Sequence, residues 1–405
     1  MKHLKSALTL PNGAVLSNRI AKSAMSENLG TYSNQPNKKL IRLYDRWCKG
    51  GAGLIITGNV MVDRRALGEP KNVVVEDRQS VDLLQQWAAT AKNTGTHIWP
   101  QINHPGRQAF AAINKEVVAP SEVMLKMGRA NAMFTKPRAL KENEIEDIIE
   151  RFGNTALILK EAGFTGVQIH GAHGYLVNQF LSPLTNLRKD KWGGTLDNRA
   201  RFVLEIYRTI RGKVGVDYPI GIKINSADFQ RGGFTEEESM RVITMLSEEG
   251  IDLIEISGGT YEQPAMMQSK KQSTIEREAF FLDYVEKARQ IIKTPLMLTG
   301  GFRTTTVMEQ ALVEGKLDVV GIARPFALYP DLPNDIFSGK LDKIELPMPK
   351  TGFKAIDDIG GLELPWYELQ IKRIAEGKEP DINMRGMKAF WYNLNGMIRK
   401  SLSKN

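Results

Sequence analysis

A chain of 405 residues with 42% apolar and 25% charged side chains has the composition of an ordinary globular protein, which excludes disorder, collagen and coiled coil. Apolar runs such as 53–57 and 319–323 fall far short of the ~20 residues that a membrane-spanning helix needs, and the start reaches Pro11-Asn12-Gly13 too soon for a secretory segment. A single cysteine, Cys48, excludes an internal disulfide, a four-cysteine zinc site and a four-thiolate iron–sulfur cluster, so a cytoplasmic protein without a membrane partner is expected; the net charge of +9 does not by itself name a partner.

Eight short apolar runs, many of them β-branched, recur along the chain. They are Ile20–Met25, Leu54–Val60, His97–Asn103, Gly166–Gly171, Ile220–Ser226, Leu253–Gly259, Pro295–Gly301 and Val319–Pro325. Each is followed by a stretch with helical periodicity. After the third run, Ile145, Ile148, Ile149, Phe152, Ala156 and Leu159 make one apolar helix face, which ends at Ala162-Gly163. After the fifth, Thr235 and Glu238 have the spacing of a capping box. Runs that are apolar on both faces imply parallel strands covered by helices, and eight strand–helix units predict an α/β fold of the (β/α)8 (TIM) barrel kind over residues 1–345. Insertions at His104–Leu140, Ala172–Thr195 and Thr260–Glu278 follow strand C-termini, the face on which such barrels build active sites. Residues 346–405 form a C-terminal extension expected to pack on the barrel or on a neighbouring subunit of a homo-oligomer. It carries Trp366-Tyr367 and Phe390-Trp391-Tyr392, and five basic residues without an acid after residue 384.

Polar groups at the ends of buried strands are costly unless they are used. The third run leads into Gln101-Ile102-Asn103-His104-Pro105-Gly106-Arg107 and the fourth into His170-Gly171-Ala172-His173-Gly174-Tyr175. The fifth carries Lys223 and Asn225, the seventh ends in Gly300-Gly301 and the eighth in Ala323-Arg324. Glycines after the seventh strand and an arginine after the eighth suit a phosphate group. Two imidazoles three residues apart could donate hydrogen bonds to one oxygen, with the Tyr175 hydroxyl as a proton donor; a metal site would need a third ligand, and no metal is expected. Lys223 is either a Schiff-base nucleophile of a phosphate-binding lyase or aldolase, or a fixed positive charge beside an anionic ring.

Four motifs carry a resemblance. Asn18 to Ser26 (NRIAKSAMS), Gln101 to Arg107 (QINHPGR), His170 to Tyr175 with Leu181 to Arg188 (LSPLTNLR) behind it, and Trp192 to Arg199 (WGGTLDNR) closely resemble the old yellow enzyme family of flavin-dependent NAD(P)H oxidoreductases. The resemblance covers roughly residues 1–345. It implies FMN as cofactor, with NADH or NADPH as hydride donor. Ala24, Met25, Ser26 and Gly58 would line the flavin, Gln101 and Lys223 would meet its pyrimidine edge, and Gly300, Gly301, Ala323 and Arg324 would bind its phosphate. His170 and His173 would hold the oxygen of an α,β-unsaturated carbonyl or nitro substrate, and Tyr175 would protonate its α-carbon. A ping-pong ene-reductase acting on a small-molecule electrophilic alkene follows, with no nucleic-acid partner, and the Schiff-base reading of Lys223 is displaced. Two positions depart from the family pattern: Ser26 stands in place of cysteine or threonine, and Asn28 in place of a tyrosine.

Overall fold

Buried on both faces, the eight apolar runs form eight parallel strands in a computed structural model that describes residues 1–263, 281–353 and 362–392. The strands are β1 (Ile20–Lys22), β2 (Leu54–Met61), β3 (His97–Asn103), β4 (Val167–Gly171), β5 (Ile220–Asn225), β6 (Leu253–Ser257), β7 (Leu296–Thr299) and β8 (Val319–Ile322). Their spatial order is their chain order. Val320 of β8 pairs with Ile20 of β1, and Ala21 of β1 pairs with Leu54 of β2, which closes the cylinder. Between the strands run α1 (Lys38–Lys49), α2 (Val81–Ala88), α3 (Glu142–Glu161), α4 (Leu196–Val214), α5 (Glu236–Glu248), α6 (Leu282–Ile291) and α7 (Thr305–Val313), and α8 (Leu332–Phe337) follows β8. The architecture is a (β/α)8 barrel.

Local chemistry accounts for the helix boundaries. Asn37 accepts from the Lys39 and Leu40 N–H groups at the start of α1. At α5, Thr235 and Glu238 make the reciprocal bonds of a capping box. The apolar face of α3 is buried and packs beside α4. Five strands stop short of their apolar runs, since β1 ends at Lys22, β5 at Asn225, β6 at Ser257, β7 at Thr299 and β8 at Ile322. Beyond β7 the cause is explicit: Gly300 and Gly301 take φ of 125° and 93°, a conformation that cannot continue a strand.

The two ends of the barrel differ. An antiparallel hairpin, Leu8–Thr9 with Val15–Leu16, lies at the N-terminal end. Its Leu8, Leu10 and Leu16 pack against Ala21, Leu54, Trp99, Leu253, Met297 and Val319, so the lower interior is an apolar plug. Trp99 fills it because its neighbours are small: a Cβ at Gly166 would lie 2.4 Å from the indole nitrogen. With that end sealed, open space is left at the C-terminal ends of the strands.

The extension supplies a further helix, α9 (Glu363–Ala375), whose Trp366, Tyr367, Ile371 and Ile374 are buried. It packs on α1 and on the turn after β8 of the same chain. Trp366 Nε1 donates to the Met384 carbonyl (2.8 Å), and Lys39 of α1 pairs with Glu376 (3.0 Å). Residues 386–392 are helical and leave Trp391 exposed; Arg399, Lys400 and Lys404 of the basic tail, like most of the 260–278 insertion, lie outside the described residues. Among the described residues no helix is long and apolar enough to cross a membrane.

Candidate active site

Where the strands end, a cavity of about 750 Å³ opens, within the size range of cofactor pockets. Each element delivers its side chains by the alternation of a strand or by the loop that leaves it. Ala24, Met25 and Ser26 come from the segment after β1, Gly58 from β2, Gln101 from β3, and His170 from β4 with His173 and Tyr175 just beyond. Lys223 comes from β5, Gly300 and Gly301 follow β7, and Ala323 and Arg324 follow β8. All these candidates, drawn from seven separate strand ends, face one space.

The floor is a continuous polar layer. Lys223 Nζ lies 2.9 Å from the Glu255 carboxylate, both groups being buried and in register across β5 and β6. Glu255 also accepts from Gln168 Nε2 and from Thr299 Oγ1, each at 2.7 Å. Gln168 in turn accepts from Gln101 Nε2 (2.7 Å). Since Thr299 spends its only proton on Glu255, Ser23 is the donor in the 2.6 Å contact between the two hydroxyls. Glu255 was not among the residues singled out from the sequence, although it is a polar residue at an inward-facing position of an otherwise apolar strand.

Beneath the segment after β1 sits a second buried cluster. The Glu27 carboxylate accepts from the Gly58 N–H (2.8 Å) and from the Tyr44 hydroxyl. Lys22 Nζ donates to the carbonyls of Ser23 and Ile56 (3.2 Å each) and lies 4.4 Å from the centre of the Trp47 ring. A Cβ at Gly58 would stand 2.1 Å from Glu27 Oε2 and 2.4 Å from the Met25 carbonyl, so only glycine allows this approach. Burial pulls the Lys22 ammonium down to about 8 and pushes the Glu27 carboxyl up.

On the upper wall, His170 and His173 lie with ring centres 5.2 Å apart, and the Tyr175 ring is 4.7 Å from His170. The Ala172 N–H donates to His170 Nδ1 (3.3 Å), which places the ring proton on Nε2. His173 takes the left-handed φ of 62°, accepts no help from glycine there, and is held by the Asn225 side-chain oxygen on its N–H (3.1 Å) and by Ser257 Oγ at Nε2 (2.8 Å). Burial, and then the nearby positive charges, hold both imidazoles well below the usual histidine range, so they are neutral at pH 7. Burial holds the Tyr175 hydroxyl well above its ordinary value, so it keeps its proton.

Three wall residues escaped the sequence reading. Tyr261 bonds Tyr175 hydroxyl to hydroxyl (2.9 Å), Glu69 accepts from Ser26 Oγ, and Asn59 presents a buried side-chain oxygen with no partner among the described residues. The serine proton is therefore committed to Glu69 and not to a ligand. Nor did the sequence place the extension here. Glu363 of α9 bonds Arg324 Nη1 (2.8 Å), and Leu364, Tyr367 and Ile371 line the same end of the cavity.

His104, at the end of β3, is buried, and its Nδ1 accepts from the Gly106 N–H (3.1 Å). Burial pushes this imidazole down to about 4. The unfolded chain protonates it below about pH 6.5, whereas the fold resists until about pH 4, so stability is present above that window and is lost as pH falls through it. The loss from this one residue is about 3 kcal/mol at most. Urea midpoints measured from pH 7 to pH 4 are expected to fall, and to fall less steeply in His104→Asn; parallel curves would exclude the assignment.

The residue set fits a flat, anionic group such as FMN. Gly300 and Gly301 bring bare backbone to the cavity, Lys223 and Gln101 offer polar contacts, and Arg324 offers a guanidinium for a phosphate.

Known proteins share this sequence and this fold. The NADH:flavin oxidoreductase / NADH oxidase family matches residues 7–343. The chain is 37% identical over 359 residues to the NADH-dependent flavin oxidoreductase iliE of Hypocrea jecorina (strain QM6a), covering 82% of this chain and 88% of that protein. It is 35% identical over 337 residues to an NADH oxidase of Thermoanaerobacter brockii, covering 82% of this chain and 50% of the relative. Among solved structures, a 2-naphthoyl-CoA reductase superposes with a TM-score of 0.78 at 28% identity, over 84% of this chain and 52% of that one. An old yellow enzyme homologue from Zymomonas mobilis shares the fold with a TM-score of 0.72 at 23% identity, over 85% and 94% of the two chains.

Proposed function

The chain belongs to the NADH:flavin oxidoreductase / NADH oxidase family, and from that premise we propose that this FMN-dependent oxidoreductase reduces the C=C bond of α,β-unsaturated carbonyl or nitro compounds by a ping-pong reaction. The observation that carries the reading is the grouping of two neutral imidazoles with a protonated phenol on one wall of the cavity. FMN, when bound, supplies the hydride chemistry, taking a hydride from NADH or NADPH and giving one to the β-carbon of the alkene.

The chain's own residues do the rest. Neutral His170 donates from Nε2–H to the substrate oxygen, and His173, paired at Nε2 with Ser257 Oγ, stands beside it as the second imidazole of that wall. The two rings hold that oxygen and draw electron density out of the alkene. Tyr175 then places a proton on the α-carbon. Gln101 and Lys223 would receive the polar edge of the cofactor, with Ala24, Met25, Ser26 and Gly58 against its ring, and Gly300, Gly301, Ala323 and Arg324 would receive its phosphate. Glu255 fixes Lys223 in place through their 2.9 Å ion pair.

The test is optical. The purified protein is expected to be yellow, to bleach anaerobically with NADH or NADPH, and to recover its colour when an enone or nitroalkene is added. Bleaching that no such alkene reverses would overturn the substrate class while leaving the oxidoreductase intact.

A further inference from the structure

We infer that Tyr261 is a positioning and relay residue for Tyr175, handing its hydroxyl proton to the Tyr175 oxygen as that oxygen gives its own proton to the substrate. The inference rests on the alkene-reduction reading and adds a second phenol to it.

Geometry carries the pairing. The two hydroxyls are 2.9 Å apart, the rings meet edge to face at 5.9 Å, and both line the cavity. Tyr261 is also held from both sides in the chain. Thr260 forms a bridge with His173 and closes a tight turn onto Gln263 (2.9 Å). Glu262 pairs with the buried Arg107 (2.5 Å) and accepts from the Lys126 N–H (2.6 Å). Arg107 belongs to the 101–107 motif, and the proposed reaction otherwise leaves it without a use. Through Glu262 it ties the loop after β6 to the loop after β3, with Tyr261 clamped at their junction.

The groups around the pair determine where negative charge can rest. His170 faces Tyr175 from β4, Asn59 from β2, and Glu69 from the loop after β2 opposes a phenolate on either tyrosine. Burial raises both phenols above their ordinary range, Tyr261 to about 12, so neither oxygen holds a negative charge cheaply. In the relay, the α-carbon electron pair takes the proton of Tyr175 to form the new C–H bond. The O–H bond of Tyr261 breaks, its proton re-forms the hydroxyl of Tyr175, and the Tyr261 phenolate recovers a proton from water, which leaves as hydroxide.

Tyr261→Phe in the FMN-loaded protein tests this, since it removes one oxygen and keeps the ring contact. Alkene-dependent recovery of colour is expected to slow by about 10–100-fold, the value of a hydrogen bond to a charged group, with bleaching by NADH or NADPH unchanged. The solvent proton inventory of that step is expected to change from two protons to one. The double variant Tyr175→Phe/Tyr261→Phe should be no slower than Tyr175→Phe alone. As a readout without turnover, the tyrosine 13Cζ resonance of Tyr175, identified by its loss in Tyr175→Phe, should move in Tyr261→Phe. A stationary resonance, or an unchanged rate in a protein whose wild type turns over the alkene, overturns the relay. A wild type that bleaches but turns over no alkene overturns the substrate reading and the relay with it.

Discussion

Tyr175→Phe is expected to slow alkene-dependent recovery of colour by about 10²–10⁴-fold, the usual contribution of a positioned general acid, without changing the rate at which NADH or NADPH bleaches the protein. The substitution removes only the hydroxyl. The ring keeps its edge contact with His170 at 4.7 Å, so the imidazole pair that holds the substrate oxygen is undisturbed. Burial keeps the phenol protonated through the neutral range, so the wild-type rate should show no alkaline limb below about pH 10 from this group. Stopped-flow traces of the two half-reactions separate the possibilities. A proton on carbon is needed only in the second, and equal slowing of both would assign Tyr175 a packing role.

Glu27→Ala is expected to cost about 3–5 kcal/mol of stability at pH 7, because it leaves a buried ammonium without its carboxylate. Glu27 raises the Lys22 pKa against the pull of burial, which otherwise brings it from 10.5 to about 8. The unfolded chain binds the Lys22 proton up to about pH 10.5 and the folded chain only to about pH 8, so the cost is fully present below 8 and disappears as pH rises through that window. Without Glu27 the lower edge of the window drops further. Urea midpoints of the variant should therefore recover between pH 7 and pH 10 more than those of the wild type. The pair Lys22→Met/Glu27→Leu, which removes both charges, should regain most of the loss; a double variant as unstable as Glu27→Ala would place the effect in packing and not in charge. The same substitution removes the acceptor shared by the Gly58 N–H and the Tyr44 hydroxyl and leaves them only their 3.2 Å contact with each other, so the backbone at 24–26 and 58 is expected to loosen as well.

The barrel was legible in the chain because parallel strands covered on both sides must be apolar on both sides. Eight such runs stand out against helices whose Ile145–Leu159 and Thr235–Glu238 patterns follow from helical geometry alone. The strand ends were less legible. The apolar runs continue past β1, β7 and β8, and only the departure of those segments from the ladder shows where the strands stop and the cavity begins. His170, His173, Tyr175, Lys223 and Arg324 could be singled out because a polar group at the end of a buried strand is expensive and therefore informative.

For other members of the wall the partners were hidden. Glu255 and Gln168 are polar residues within apolar strands, but what they serve appears only when the register sets Glu255 beside Lys223 and Gln101 beside Gln168. Tyr261 lies in a loop without periodicity, 86 residues from the tyrosine it touches, and Glu363 reaches Arg324 across 39 residues of chain. By itself, then, the amino-acid sequence determined the strand count, the barrel and the residues whose burial demands a use, since these depend on local periodicity and on the cost of hiding polar groups. The partners that give those residues their protonation states and their places were decided by the closure of the barrel and by the loops and extension folded over its rim. Contacts between distant segments depend on how the backbone is arranged in space, and no local pattern encodes that.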